Sequence, residues 1–151
     1  MPGVSNKPLI VVDADALISF VYVNDVNHAR AKRAVQHLAH TQSSLLYPTT
    51  AILEAVTALK GKLNRPEDAK RIVEKLQSGG YPIQAVDQAV LNDAAALFHP
   101  LASKKHTLFD AVIAAIAKRL SADAIFSFDK WYTTQGLTLA EDFMAEEKQA
   151  A

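Results

Sequence analysis

The feature that most constrains the fold is a short, continuous run of apolar and mostly β-branched residues at Leu9–Val12, which stops abruptly at Asp13. Runs of this length and composition are typical of strands that are buried on both faces, as in parallel sheets. Further apolar runs at 45–47, 82–86 and 124–128 also predict strands, and helical patterns separate them. This alternation implies right-handed crossovers. We therefore expect an α/β fold, an α/β/α sandwich with a mainly parallel central sheet.

The predicted helices carry recognisable end signals. Pro66 occupies a favourable first helical position, Asp87 is a candidate N-cap, and Ser-Gly-Gly at 78–80 closes a helix. The second helix is expected to present an apolar stripe formed by Val26, Ala31, Ala34, Val35 and Leu38. The predicted helices span residues 14–23, 25–40, 51–63, 66–77, 88–98 and 107–122, and a final short strand is predicted at 137–139.

Composition excludes several classes of site. The 151 residues include no cysteine, which excludes disulfides, thiolate nucleophiles and zinc–thiolate sites and fits a reducing compartment. With neither an N-terminal apolar signal nor an apolar run of membrane-spanning length, the protein is predicted to be cytoplasmic, without membrane association. The 16 basic and 16 acidic residues balance, so any binding of RNA must depend on a local basic patch.

Two aspartates stand where predicted strands end. Asp13 follows the first strand, and Asp129 follows the strand at 124–128. Because open α/β sheets bind ligands at the carboxyl ends of their strands, the two carboxylates could share a metal ion there. Capping of a helix or formation of a turn is an equally good explanation of either residue alone.

Glu54 is expected on the face of its helix that lies opposite the large apolar side chains. Those side chains are Ile52, Leu53, Val56, Leu59 and Leu63, whereas the face of Glu54 carries the small residues Thr50, Ala58 and Gly61. A solvated face normally carries several long charged residues, so a single carboxylate among small neighbours indicates a helix that lines a cleft. A solitary surface glutamate is the alternative.

Asp110 lies in the first turn of a helix that is apolar nearly all round and is therefore expected to be largely buried. The spacing from Thr107 to Asp110 matches a capping box, and the helix dipole favours a carboxylate at this end. Capping and metal binding both stay open for Asp110, and they are compatible because the same dipole helps to keep the side chain ionised.

Four segments, in this order, together resemble the PIN-domain family, and most closely its VapC-type toxin ribonucleases. They are VVDADALI at 11–18, TTAILEAV at 49–56, FDAVIAAIAKRLSA at 109–122 and IFSFDKWY at 125–132. The resemblance implies a single PIN-like domain over residues 1–151 with its core at about 9–143. It also implies a Mg²⁺- or Mn²⁺-dependent endoribonuclease that is usually a homodimer and is often neutralised by a cognate antitoxin.

The resemblance places the catalytic, metal-binding acids at Asp13, Glu54, Asp110 and Asp129. We expect Asp13 and Asp110 to hold a metal, while Glu54 and Asp129 either ligate it through water or bind a second ion. Magnesium prefers hard oxygen ligands and retains several waters, so few direct carboxylates suffice. A bound ion would lower the pKa of a water molecule and neutralise charge on the RNA phosphate.

Further residues are expected around these acids. Ser127 matches a small hydroxyl position just before the last acid, and Asp15 stands where the family commonly has Asn, Ser or Thr. Asp15 either adds charge to the site or takes over that hydrogen-bonding role. The candidates for contacts with RNA phosphates are Lys104, Lys105, Lys130 and Arg33.

Two other functions are compatible with parts of the sequence. Asp13-Ala14-Asp15 after a strand resembles the nucleophile motif of haloacid-dehalogenase-like phosphotransferases, although Leu17 occupies a place where that family needs a small hydroxyl residue or Val. A non-catalytic PIN domain that only binds RNA or a protein is the other alternative. The complete set of expected acids favours the ribonuclease. The resemblance to VapC-type ribonucleases separately implies the toxin of a type II toxin–antitoxin pair, and a role in RNA processing is the alternative, because PIN domains also serve in that process.

Overall fold

A computed structural model describes residues 6–150, and its centre is a sheet of parallel strands in the order β3-β2-β1-β4. The strands are β1 (Leu9–Val12), β2 (Ser44–Pro48), β3 (Ile83–Gln84) and β4 (Ala124–Phe126). The helices are α1 (Ala14–Val21), α2 (His28–His40), α3 (Thr49–Lys60), α4 (Pro66–Gln77), α5 (Gln88–Leu97), α6 (Leu108–Arg119), α7 (Trp131–Thr134) and α8 (Ala140–Ala150). The predicted α/β/α fold with a parallel sheet is confirmed.

The register of the sheet fixes the end of β1 beside the end of β4. Val12 pairs with Phe126, and the backbone N–H of Asp13 donates to the carbonyl of Phe126 at 3.0 Å. On its other side, β1 pairs with β2 through Ile10 and Leu45. The strand order therefore reverses next to β1, and a crevice at the carboxyl ends of the strands is expected at such a point.

The hydrophobic core lies between the sheet and the helices. Residues 10–12 of β1 are 0–1% exposed, and every residue of α6 from Ala111 to Ala117 is buried. These two elements pack on each other, and α6 also packs on α3 and α5. Packing against the sheet thus fixes the position of the N-terminal end of α6, where Asp110 lies.

Several helix ends form as the sequence predicts. Pro66 stands in the first turn of α4, the side chain of Asp87 accepts from the N–H of Val90, and Thr107 with Asp110 forms the capping box of α6. Gly79, just after α4, adopts φ +73°, a left-handed conformation that glycine reaches without steric strain.

Other parts of the predicted pattern are wrong. The second helix begins at His28, because the carboxylate of Asp25 accepts from Ser19 Oγ and from the N–H of Asn27 and so stabilises a turn. Val26, expected in the apolar stripe, is 93% exposed, and Leu53 on α3 is 60% exposed. The strand predicted at 137–139 is a single bridge between Ile125 and Leu139.

The C-terminal end of the described chain contains two helices, α7 and α8, that the sequence pattern did not predict. Helix α8 packs on α2 and β4, and the short helix α7 follows the loop that carries Asp129. Across residues 6–150, the helices all fall short of the length and apolarity that crossing a membrane requires.

Candidate active site

The carboxyl edge of β1 and β4 gathers the first elements of the candidate site. Asp13 directly follows β1, and Ser127 directly follows β4, so the pairing of Val12 with Phe126 sets the two residues side by side. Asp13 also forms the N-cap of α1, and its Oδ1 accepts from the N–H of Ala14 at 2.7 Å. The junction between β1 and α1 therefore positions this carboxylate.

Asp13 is 5% exposed and depends on buried donors. Its Oδ2 accepts from the hydroxyl of Tyr132 at 2.8 Å, and Ser127 Oγ lies 3.1 Å away. Burial, followed by the charges of Asp15 and Asp110, raises the pKa of Asp13 well above its ordinary value. Burial, followed by the charges of Asp13, Asp110 and Asp15, also raises the pKa of Tyr132, which keeps its hydroxyl protonated as a donor.

Asp15 is the second residue of α1, and its side chain contacts the loop that follows β4. Its Oδ2 accepts from the N–H of Phe128 at 2.9 Å, and Ser127 Oγ lies 3.1 Å away. Because Ser127 has a single hydroxyl hydrogen, Asp13 and Asp15 share one donor. The other oxygen, Asp15 Oδ1, is buried without a hydrogen-bond partner. Burial raises the pKa of Asp15 to about 6, and repulsion by Asp129 adds to the shift.

The loop after β4 holds Asp129 in a fixed orientation. Its Oδ1 accepts from the N–H of Trp131 at 2.9 Å, and its own N–H donates to Ser127 Oγ at 3.1 Å. His106 approaches the same carboxylate, with Nε2 3.8 Å from Oδ1, and stacks on the ring of Trp131 at a centroid distance of 5.2 Å. Asp129 thus lies beside the stacked rings of His106 and Trp131.

Glu54 and Asp110 bring two more carboxylates, on α3 and α6, and both are partly buried. Burial raises the pKa of Glu54, and the charges of Asp110 and Asp15 raise it further. Burial also raises the pKa of Asp110, against the lowering effect of the Thr107 N–H that binds Asp110 Oδ2 at 2.8 Å. Charge repulsion connects the five carboxylates through a series of pairs: Asp15 and Asp110 act on Asp13 and on Glu54, and Asp129 acts on Asp15 and on Asp110. The five therefore belong to a single electrostatic cluster.

The donor set of this cluster fits a hard divalent cation. It consists of carboxylate oxygens, which Mg²⁺ and Mn²⁺ prefer. Residues 6–150 contain no group of three or more acidic or histidine side chains that is already gathered around one point at ligand distance. The fit depends instead on Asp15 Oδ1, a buried oxygen with no donor, since such an atom is costly unless a cation or donor reaches it. Thr50 Oγ1, one turn before Glu54, is likewise buried and unpartnered.

Comparison with known proteins decides the family. A family model of the PIN domain matches residues 10–132. The chain belongs to the PIN-domain family. Its structure is also similar to the crystal structure of VapC20 from Mycobacterium tuberculosis, described as a sarcin-ricin loop cleaving toxin. The TM-score is 0.74 at 16% sequence identity, and the match covers 85% of this chain and 96% of that one. At this identity the likeness establishes a common fold. No curated protein gave a significant match.

The predicted basic residues form no ion pair with the five acids of the cluster. Lys104, Lys105 and Lys130 are exposed, and none of them forms an ion pair with an acid of the described chain. Arg33 lines a groove of about 530 Å³ between α2 and α8. A role for these residues in binding RNA stays a prediction.

Sequence reasoning missed Tyr132 of this PIN domain. Its hydroxyl donates a hydrogen bond to Asp13, although the two residues lie 119 positions apart in the chain. A signal was present, because a tyrosine that is buried normally finds a partner for its hydroxyl, and Tyr132 comes three residues after Asp129. Close to this site, the guanidinium of Arg30 lies 4.6 Å from the ring centroid of Phe128 and pairs with Glu141.

Proposed function

We propose that this PIN domain is a divalent-metal-dependent endoribonuclease and acts as the toxin of a type II toxin–antitoxin pair. The observation that carries the proposal is the electrostatic coupling of four acids from separate segments through Asp110. The charge of Asp110 raises the pKa of Asp13 and of Glu54, and the charge of Asp129 raises the pKa of Asp110. Membership of the PIN-domain family supports the nuclease activity, and the fold shared with a sarcin-ricin loop cleaving toxin supports the toxin role.

Asp13 and Asp110 are the residues that we propose hold Mg²⁺ or Mn²⁺. Asp110 Oδ2 serves the capping box, and no residue between 6 and 150 donates to Asp110 Oδ1. Asp129 has the same arrangement, since Oδ1 serves Trp131 and Oδ2 has no donor from the described residues. A bound cation would supply positive charge against the RNA phosphate and lower the pKa of water.

The protein residues have separate roles in this proposal. Tyr132 and Ser127 hold Asp13 in one orientation through Oδ2. Glu54 is suited to accept a proton from water at its carboxylate, because its raised pKa brings it closer to neutral pH while it stays partly exposed. Lys104, Lys105, Lys130 and Arg33 are proposed to contact phosphates of the RNA.

Three further features belong to this proposal: a homodimer, a cognate antitoxin as protein partner, and a location in the cytoplasm. Exposed apolar side chains on α3, α5 and α6, namely Leu53, Leu91 and Phe109, supply a surface that a second protein chain could cover. Sedimentation of the purified protein tests the dimer, and a sedimentation coefficient of a monomer at micromolar concentration would contradict it.

The decisive experiment compares wild type with Asp13→Asn on an unstructured RNA, with and without millimolar Mn²⁺. We expect cleavage by wild type that EDTA abolishes, and no cleavage by the variant, because the amide removes the anionic charge at the proposed metal site. Asp93→Asn is a matched control, since Asp93 pairs with Arg119 at the far end of α6. Circular dichroism checks folding. Cleavage at the wild-type rate by Asp13→Asn would refute the site.

Two observations on the wild-type protein would favour the alternative functions, a phosphotransferase and a non-catalytic binding protein. A phosphotransferase needs Asp13 as an accessible nucleophile, whereas Asp13 is 5% exposed and hydrogen-bonded through both oxygens. Trapping of a beryllofluoride adduct on Asp13 would favour that reaction. A protein that binds RNA but shows no binding of Mn²⁺ in calorimetry would favour the non-catalytic alternative.

A further inference from the structure

The two oxygens of Asp15 have different environments. Oδ2 is held by the N–H of Phe128 at 2.9 Å and lies 3.1 Å from Ser127 Oγ, so the plane and direction of the carboxylate are set by the protein. Oδ1 is buried and receives no hydrogen bond. A side chain that served only to hold the loop after β4 would need one of these oxygens, and the second oxygen would carry an uncompensated desolvation penalty.

The surroundings of Asp15 make this penalty larger. Asp15 raises the pKa of both Asp13 and Glu54 by charge repulsion, and Asp129 acts in the same way on Asp15. Residues 6–150 place no lysine or arginine in an ion pair with Asp15. When Asp15 is ionised, its charge therefore has no paired positive charge among the described side chains, and a bound cation would supply one.

We propose that Asp15 is a direct ligand of the divalent cation, through Oδ1, in addition to Asp13 and Asp110. The inference rests on the proposed function, because it concerns the same metal site. It assigns Asp15 two simultaneous roles: Oδ2 anchors the β4–α7 loop through Phe128, and Oδ1 binds the metal. The loop that carries Asp129 is thus tied to the metal by the same carboxylate.

Asp15→Asn separates the two roles. The N–H of Phe128 requires an acceptor, so the amide oxygen takes the place of Oδ2 and the NH₂ group takes the place of Oδ1. The anchoring of the loop is retained, while a donor replaces the metal-binding oxygen. If Asp15 only anchors the loop, the variant should bind metal as wild type does.

The test is isothermal titration of metal-free protein with Mn²⁺, for wild type, Asp15→Asn and the control Asp93→Asn. We expect Asp15→Asn to raise the Kd for Mn²⁺ by about tenfold or more, while Asp93→Asn leaves it unchanged. We also expect a higher Tm for metal-free Asp15→Asn than for metal-free wild type, because one of the mutually repelling carboxylates is removed. Its Mn²⁺-induced rise in Tm should be smaller.

Direct ligation is read from Tb³⁺ luminescence lifetimes in H₂O and D₂O, which count waters on the ion. Loss of an oxygen ligand should add about one water, because an open coordination position is filled by solvent. Direct ligation by Asp15 is refuted if Asp15→Asn has the wild-type Kd for Mn²⁺. It is also refuted if the Kd is higher but the number of waters on Tb³⁺ is unchanged. Absence of Mn²⁺ binding to wild type is a different result, since it refutes the proposed function itself.

Discussion

The hydrogen bond between Tyr132 and Asp13 can be removed with almost no change in packing. Tyr132→Phe deletes only the hydroxyl, which donates to Asp13 Oδ2 at 2.8 Å from a side chain that is 0% exposed. A hydrogen bond to an ionised, buried carboxylate stabilises the folded state by about 1.5–3 kcal/mol. For a chain of this size, each kcal/mol lowers Tm by about 2–4 °C, so we expect a decrease of roughly 3–12 °C.

Urea unfolding of metal-free protein at neutral pH and above measures this free energy. The loss should be largest when Asp13 is ionised and should shrink as pH falls, because a neutral carboxyl accepts a weaker hydrogen bond. Tyr132 lowers the pKa of Asp13, so its removal should raise that pKa further. Tyr22→Phe is a suitable control, since the Tyr22 hydroxyl makes no hydrogen bond within residues 6–150, and its ring packs under Arg65.

A double-mutant cycle with Asp13→Asn assigns the effect to the pair. If Tyr132 acts through Asp13, the two single losses should not add, with a coupling energy above about 0.5 kcal/mol. A Tyr132→Phe protein whose unfolding free energy equals that of wild type at high pH would refute the reasoning, as would strict additivity in the cycle.

Two other predictions follow from the structure. In EDTA, the unfolding free energy of wild type relative to Asp15→Asn should fall as pH rises from about 4 to about 6, with a slope of at most about 1.4 kcal/mol per pH unit. The reason is that the pKa of Asp15 is raised from 3.8 to about 6 in the folded state, which therefore keeps the proton when the unfolded state has lost it. A Tm difference independent of pH would contradict this. In urea unfolding, Asp68→Asn should lower the free energy of unfolding by about 1–2 kcal/mol, because the buried Asp68 carboxylate binds Arg65 at 2.8 Å. Glu74→Gln, which removes an exposed ion pair at 3.7 Å, should change the same free energy by less than about 0.5 kcal/mol.

The sequence by itself determined the elements whose signals are local. A continuous apolar run makes Leu9–Val12 a buried strand, because such a segment leaves no polar face for solvent. The cap at Asp87 and the capping box at Thr107 formed as predicted, since each needs only the backbone of the following turn. Placement of Asp13 at the end of β1 follows from the same local pattern, whereas β4 ends at Phe126 and Asp129 lies in the loop after it, not at the strand end that the apolar run to Phe128 predicted.

Only the tertiary structure decided which side chains meet. The contact of Tyr132 with Asp13 spans 119 positions of the chain and depends on the pairing of β1 with β4 and on the short helix α7. The exposure of Val26 and Leu53 likewise depends on where neighbouring elements end, which hydrophobic periodicity does not encode. The unpartnered oxygen of Asp15 arises in the same way, because burial and hydrogen bonding are properties of the packed surroundings and not of the residue type.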